Sequence, residues 1–150
     1  MTRRLLLLLV LTVAFTACKL KEEAGPEAIP APTDVAAPPA DAVRTSSGLA
    51  SKVLRPGTSN VRPTAASTVV VHYTGWTTDG KMFDSSIVRG TPAEFSVQDV
   101  IPGWTEGLQL MVVGERRRFW IPGRLAYDDS LDPDSPRGTL VFDIELIEVK

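Results

Sequence analysis

Apolar and polar residues alternate with a period of two along much of the second half of the chain. Val69, Val71 and Tyr73 share one side of an extended segment, and Val70, His72 and Thr74 share the other. This is the spacing of a β-strand rich in β-branched residues. In 139–149, Leu140, Phe142, Ile144 and Leu146 alternate with Val141, Asp143, Glu145 and Ile147. In 115–121, Phe119 and Ile121 are expected to face a core, and Arg116, Arg118 and Trp120 to face outwards. Shorter strands are expected at Glu94–Val97, after Pro92, and around Leu49, Val53 and Leu54, before Pro56-Gly57. Only one stretch has helical spacing. Trp104, Leu108 and Met111 recur at i, i+4 and i+7 behind Pro102-Gly103, which predicts a helix from Trp104 to about Met111. Glu106 in its first turn suits the helix dipole.

Turn residues divide these elements. Gly75 and the run Thr77–Gly80 punctuate the strand that starts at Val69, and Asp79-Gly80 is a strong turn dipeptide. The chain then returns through Met82, Phe83 and Asp84, so a hairpin-like unit projects Tyr73, Phe83 and Asp84. Residues 124–138 read as a loop that contains Tyr127. A sheet that is polar on one face and wraps one short helix is an α+β arrangement.

Composition narrows the chemistry. The 150 residues carry a net charge of −2, which suits one small domain with an appendage and gives no reason to expect nucleic acid. A single cysteine, Cys18, excludes an internal disulfide framework and any cysteine-rich metal site. A single histidine, His72, removes triads with a second histidine and most zinc geometries. Because His72 lies opposite Tyr73, it is read as structural. Asp128, Asp129, Asp132 and Asp134 lack the spacing and distal glutamate of an EF-hand, so they read as a solvated acidic loop. Arg116, Arg117 and Arg118 are too few to imply an anionic partner. Neither metal nor cofactor is expected.

Residues 1–18 have the form of an export signal. Arg3 and Arg4 precede an apolar run that is too short to span a membrane as an ordinary helix, which needs about 20 apolar residues. The run ends at Phe15-Thr16-Ala17-Cys18, which resembles a bacterial lipobox with Phe15 where leucine is usual. Lipid on Cys18 would tether the protein to a membrane of the bacterial cell envelope, facing the periplasm, with the outer membrane favoured over the inner. Residues 19–45 are rich in Pro and Ala and are expected to form a disordered linker. The folded domain is expected over 46–150.

Several motifs in this domain occur in one order. They are Val71-His72-Tyr73-Thr74-Gly75 with Asp79-Gly80-Lys81 and Phe83-Asp84-Ser85-Ser86, then Val100-Ile101-Pro102-Gly103-Trp104-Thr105-Glu106-Gly107, then Leu125-Ala126-Tyr127, then Thr139–Leu146. Together they resemble the signature of the FKBP-type peptidyl-prolyl cis-trans isomerases over roughly 46–150. The resemblance implies a twisted antiparallel sheet curled around one short helix. It implies an isomerase of X–Pro bonds, acting as a monomer on proline-containing polypeptides without a cofactor. A non-catalytic module of the same fold, binding a proline-containing partner, is the alternative.

The resemblance also assigns roles. Tyr73, Phe83, Phe95 and Phe142 would form the pocket walls and Val100 its rim, with Trp104 as the floor beneath a proline ring. The Ile101 backbone N–H would bind a substrate carbonyl. Tyr127 would offer its hydroxyl to substrate, and Asp84 would hold polar groups in place. Two features depart from the family pattern. Ala93 stands where a pocket-edge aromatic is common, and the loop after Tyr127 is short. Both imply a more open pocket.

Overall fold

The computed structural model describes residues 27–150, so the expected export signal, Cys18 and residues 19–26 lie outside the described residues. Seven strands form one antiparallel sheet: β1 (Val43–Arg44), β2 (Ala50–Arg55), β3 (Thr68–Thr77), β4 (Met82–Ser85), β5 (Ala93–Ser96), β6 (Arg116–Ile121) and β7 (Leu140–Val149). Their spatial order is β1-β2-β6-β7-β3-β4. Strand β5 pairs with the first half of β3, and β4 pairs with its second half. A one-turn helix, α1 (Ser86–Arg89), follows β4, and α2 (Pro102–Leu108) packs on one face of the sheet.

The period-two pattern sorts the faces as expected. Val69, Val71, Tyr73, Phe119, Ile121, Leu140, Phe142, Ile144 and Leu146 are buried beneath α2 with Trp104, Leu108 and Met111. Pro102 opens α2 at a position where its missing N–H costs nothing. The helix is shorter than its periodicity suggested, ending at Leu108, but Met111 is fully buried beyond its end. Gly107 lets the helix approach the sheet: a Cβ there would lie 2.7 Å from the Phe119 ring.

Gly75 does not interrupt β3. The strand runs on to Thr77, and glycine is required because the rings of Phe83 and Phe142 occupy the place of a side chain, 2.6 and 2.7 Å from a Cβ there. The hairpin turn comes later, at Gly80, whose φ is +87°.

The opposite face differs most from the sequence reading. Trp120 does point away from the helix, but it is 2% exposed rather than open to water. Residues 27–42, expected to be disordered, lie over it. Val35 and Ala42 pack on Ala50, Trp120 and Val141. The Trp120 indole donates to the Asp34 carbonyl at 3.0 Å, and the Trp76 indole donates to the Ile29 carbonyl at 2.9 Å. Arg118 makes a two-pronged pair with Asp143, at 2.6 and 2.8 Å, and reaches Asp34 at 2.6 Å. Val43 and Arg44 then join the sheet edge. These contacts favour docking, and the prolines lower its cost. Pro30, Pro32, Pro38 and Pro39 restrict the unbound arm, so docking it costs less entropy than docking an ordinary segment.

Candidate functional site

A cavity of about 460 Å³ opens beside the start of α2. Its volume falls in the range of small-ligand pockets. It is lined by Tyr73, Phe83, Asp84, Phe95, Asp99, Val100, Ile101, Trp104, Tyr127 and Phe142. The structure therefore brings together the nine domain residues singled out from sequence and adds Asp99. These residues come from six parts of the chain, and each is placed by a local rule. Tyr73 and Phe142 stand on the helix-side face of the neighbouring strands β3 and β7. Phe83 and Asp84 return on β4, and Phe95 stands on the edge strand β5. Val100 and Ile101 precede the proline that starts α2, and Trp104 lies in its first turn. Tyr127 follows a short turn of helix at Gly123–Leu125.

Trp104 is the hub of the aromatic set. The rings of Tyr73, Phe95 and Phe142 lie 5.2, 5.5 and 5.4 Å from it, all nearly perpendicular to it. Phe83 meets Phe142 edge-on at 5.4 Å. Such edge-to-face contacts are favourable and hold rings in fixed orientations. The Trp104 N–H is buried and has no hydrogen-bond partner among the described residues.

The polar side of the cavity is a linked group. The Tyr73 hydroxyl donates to Asp84 Oδ2 at 2.5 Å. Arg89 donates to the Tyr73 hydroxyl at 2.9 Å and pairs with Asp84 Oδ1. Arg89 was not singled out from sequence. Its signal was a helix of a single turn, capped by Ser85 at one end and by Gly90 in the left-handed region at the other. That turn carries Arg89 back over Asp84. Burial raises the Tyr73 pKa, and its bond to Asp84 adds to this against the opposing Arg89. Burial likewise raises the Tyr127 pKa, with the charge of Asp84 as a second cause. Both phenols are therefore held in the protonated, donating form. Among the described residues, the Ile101 amide N–H meets no acceptor, because α2 begins only after it. Ile101 and Tyr127 are thus two donors at the mouth of an apolar cup.

Ala93 lies beside the core on β5, paired with Val71, and does not line the cavity. His72 lies outside it too, with its Nδ1 2.9 Å from the Ser86 hydroxyl. The same hydroxyl accepts from the Tyr73 amide at 2.8 Å.

Residues 59–147 match the family model described as FKBP-type peptidyl-prolyl cis-trans isomerase. The chain belongs to the FKBP-type family. A relative named FKBP-type peptidyl-prolyl cis-trans isomerase FkpA, from Aeromonas hydrophila, is 49% identical over 71% of this chain and 40% of its own length. The FKBP-type 22 kDa peptidyl-prolyl cis-trans isomerase of Escherichia coli is 48% identical over 70% of this chain and 52% of its own. The outer membrane protein MIP of Legionella longbeachae is 46% identical over 69% of this chain and 45% of its own. The chain thus spans about half the length of these relatives. Among solved structures, FkpA from Escherichia coli superposes with a TM-score of 0.69 at 42% identity, covering 75% of this chain and 53% of that one. An isomerase from Pseudomonas syringae pv. tomato superposes with a TM-score of 0.67 at 38% identity, covering 75% of this chain and 83% of that one. The FKBP fold of the chain therefore rests on both the family match and the likeness to solved structures.

Proposed function

We propose that this FKBP domain accelerates cis–trans isomerisation of X–Pro bonds in exported polypeptides. The supporting observation is the open aromatic cup floored by Trp104, with two donors at its mouth that are unengaged among the described residues. The reaction needs nothing more reactive. An X–Pro bond is held planar by amide resonance, with a barrier of about 18–20 kcal/mol. Its two planar forms differ by only about 0.5–1 kcal/mol. A catalyst must favour the twisted amide, in which the nitrogen lone pair is no longer delocalised. The cup of Tyr73, Phe95, Trp104 and Phe142 takes the proline ring by apolar burial. The Ile101 N–H and the Tyr127 hydroxyl hold the peptide on either side of the rotating bond. The Tyr73–Asp84–Arg89 group keeps the wall rigid and already hydrogen-bonded. Every 1.36 kcal/mol removed from the barrier raises the rate tenfold.

The protein is read as a monomer that works from the cell envelope, held by lipid on Cys18 and facing the periplasm, with the outer membrane favoured. The name of the Legionella relative and the lipobox-like end of the export signal support this reading. A protease-coupled assay on a prolyl tetrapeptide tests the activity. Catalysed relaxation by residues 27–150 is expected, and an unchanged relaxation rate would leave only a binding module. Radiolabelled palmitate tests the anchor: incorporation is expected in the full chain and should vanish in Cys18→Ser.

A further inference from the structure

The loop between Tyr127 and β7 has no apolar anchor of its own. Its one large apolar residue from 128 to 138, Leu131, is 100% exposed. The loop is closed instead by polar contacts that converge on Arg137. One guanidinium nitrogen donates to the carbonyl of Tyr127 and, at 3.0 Å, to that of Asp128. The other donates to the carbonyls of Ser130 at 2.9 Å and Asp132 at 3.0 Å. Beside it, the Gly138 N–H donates to the Asp128 carboxylate at 2.8 Å, and the Asp128 N–H donates to the Gly123 carbonyl at 3.1 Å.

We propose that Arg137 is a positioning residue for Tyr127, fixing the phenol at the cavity mouth by holding four loop carbonyls, those of Tyr127, Asp128, Ser130 and Asp132, through its planar fork. This role rests on the isomerase reading above. A guanidinium suits it because its donors are set in one rigid plane, whereas an ammonium is a single point. The carbonyl of Tyr127 itself is among the acceptors, so the hold acts on the residue that carries the hydroxyl. Without it, the short loop would sample other shapes, and the hydroxyl would leave the place where a substrate carbonyl arrives.

The test is a double-mutant cycle on the full chain with a prolyl tetrapeptide: wild type, Tyr127→Phe, Arg137→Ala and the double variant. Arg137→Ala should lower kcat/KM about fivefold, similar to Tyr127→Phe, through a raised KM more than a lowered kcat. Arg137→Lys should recover only part of the loss. In the Tyr127→Phe background, Arg137→Ala should have little further effect. A full additional loss there, or no loss from Arg137→Ala alone, would overturn the assignment. So would a fall in activity that tracks a fall in melting temperature across the Arg137 variants. If the wild type does not accelerate the peptide, the isomerase reading fails and the assignment goes with it; an active wild type with additive effects removes the assignment alone.

Discussion

Trp104 and Trp120 lie on opposite sides of one sheet and are almost equally buried, at 5% and 2% exposed. Their surroundings differ in kind. Trp120 is saturated: its indole N–H is satisfied by Asp34, its ring is covered by Val35 and Ala42, and Arg118 beside it is paired twice over. Trp104 is left partly unmet, with an N–H that has no partner among the described residues and an open cavity over its ring. On the outer face, the chain's own arm covers Trp120. The inner face stops short of completion, and the gap has the size of a small ligand. Burial alone does not distinguish the two tryptophans, whereas the balance of satisfied partners does.

The same substitution on the two faces should break this comparison if it is wrong. Trp120→Ala removes a fully packed side chain and should cost about 3–5 kcal/mol of stability. Chemical denaturation measures this, and kcat/KM of the folded fraction should be unchanged. Trp104→Ala enlarges a cavity that is already open beside the ring, so its stability cost should be smaller, about 2 kcal/mol. Its kcat/KM should fall at least tenfold, since a proline ring loses its floor. Equal effects on both readouts would erase the distinction between the faces.

Next in size is Asp143→Ala. It leaves Arg118 half-buried with Asp34 alone and strips Arg116 of its partner. The Arg118 pKa shows the balance: burial works against its charge, yet Asp143 and Asp34 together raise the pKa. Removing one partner of such a pair should cost about 3 kcal/mol, with activity retained. Deleting residues 27–42 should cost roughly 2–3 kcal/mol, from two indole hydrogen bonds, the Asp34 pair and the burial of Val35 and Ala42. Thermal melts would show it. No change in melting temperature would return the arm to a passive tether.

That the cavity residues wall a pocket came from the family resemblance, while two simple rules placed several of them on the right side of the sheet. Strand alternation put Tyr73 and Phe142 on the core side, and Pro102 fixed where the helix begins, hence where Trp104 and Ile101 stand. The arm was hidden because its composition argues the other way. Few apolar residues and many prolines suit a disordered segment, and only contact with distant tryptophans tips the balance. One signal was present: a tryptophan placed on the outward face of β6 calls for a cover. Arg89 and Arg137 escaped for a related reason. Each acts through backbone or hydroxyl groups brought near by a tight turn, and neither stands in a periodic pattern.

The smallest expected effect concerns pH. Tyr127 and Tyr73 both line the cavity, and both have raised pKa values, led by burial. A free tyrosine loses its proton near pH ~10. In the folded protein the proton is held beyond that point, so the Tyr127 hydroxyl remains a donor throughout the neutral and mildly alkaline range. The kcat/KM profile should therefore be flat from neutral pH to about 10 and fall only above it. Stability follows with a fixed sign. Above the unfolded pKa the native state binds more protons than the unfolded chain, so stability is full below pH ~10 and declines as pH rises towards the folded values. Tyr127→Phe and Tyr73→Phe should each make that decline shallower, whereas Trp120→Phe should leave its slope alone. A decline in kcat/KM between pH 7 and 9 would mean that some group other than these phenols titrates in the cup. The contrast between a satisfied outer face and a donor-rich inner one would then have the wrong donors.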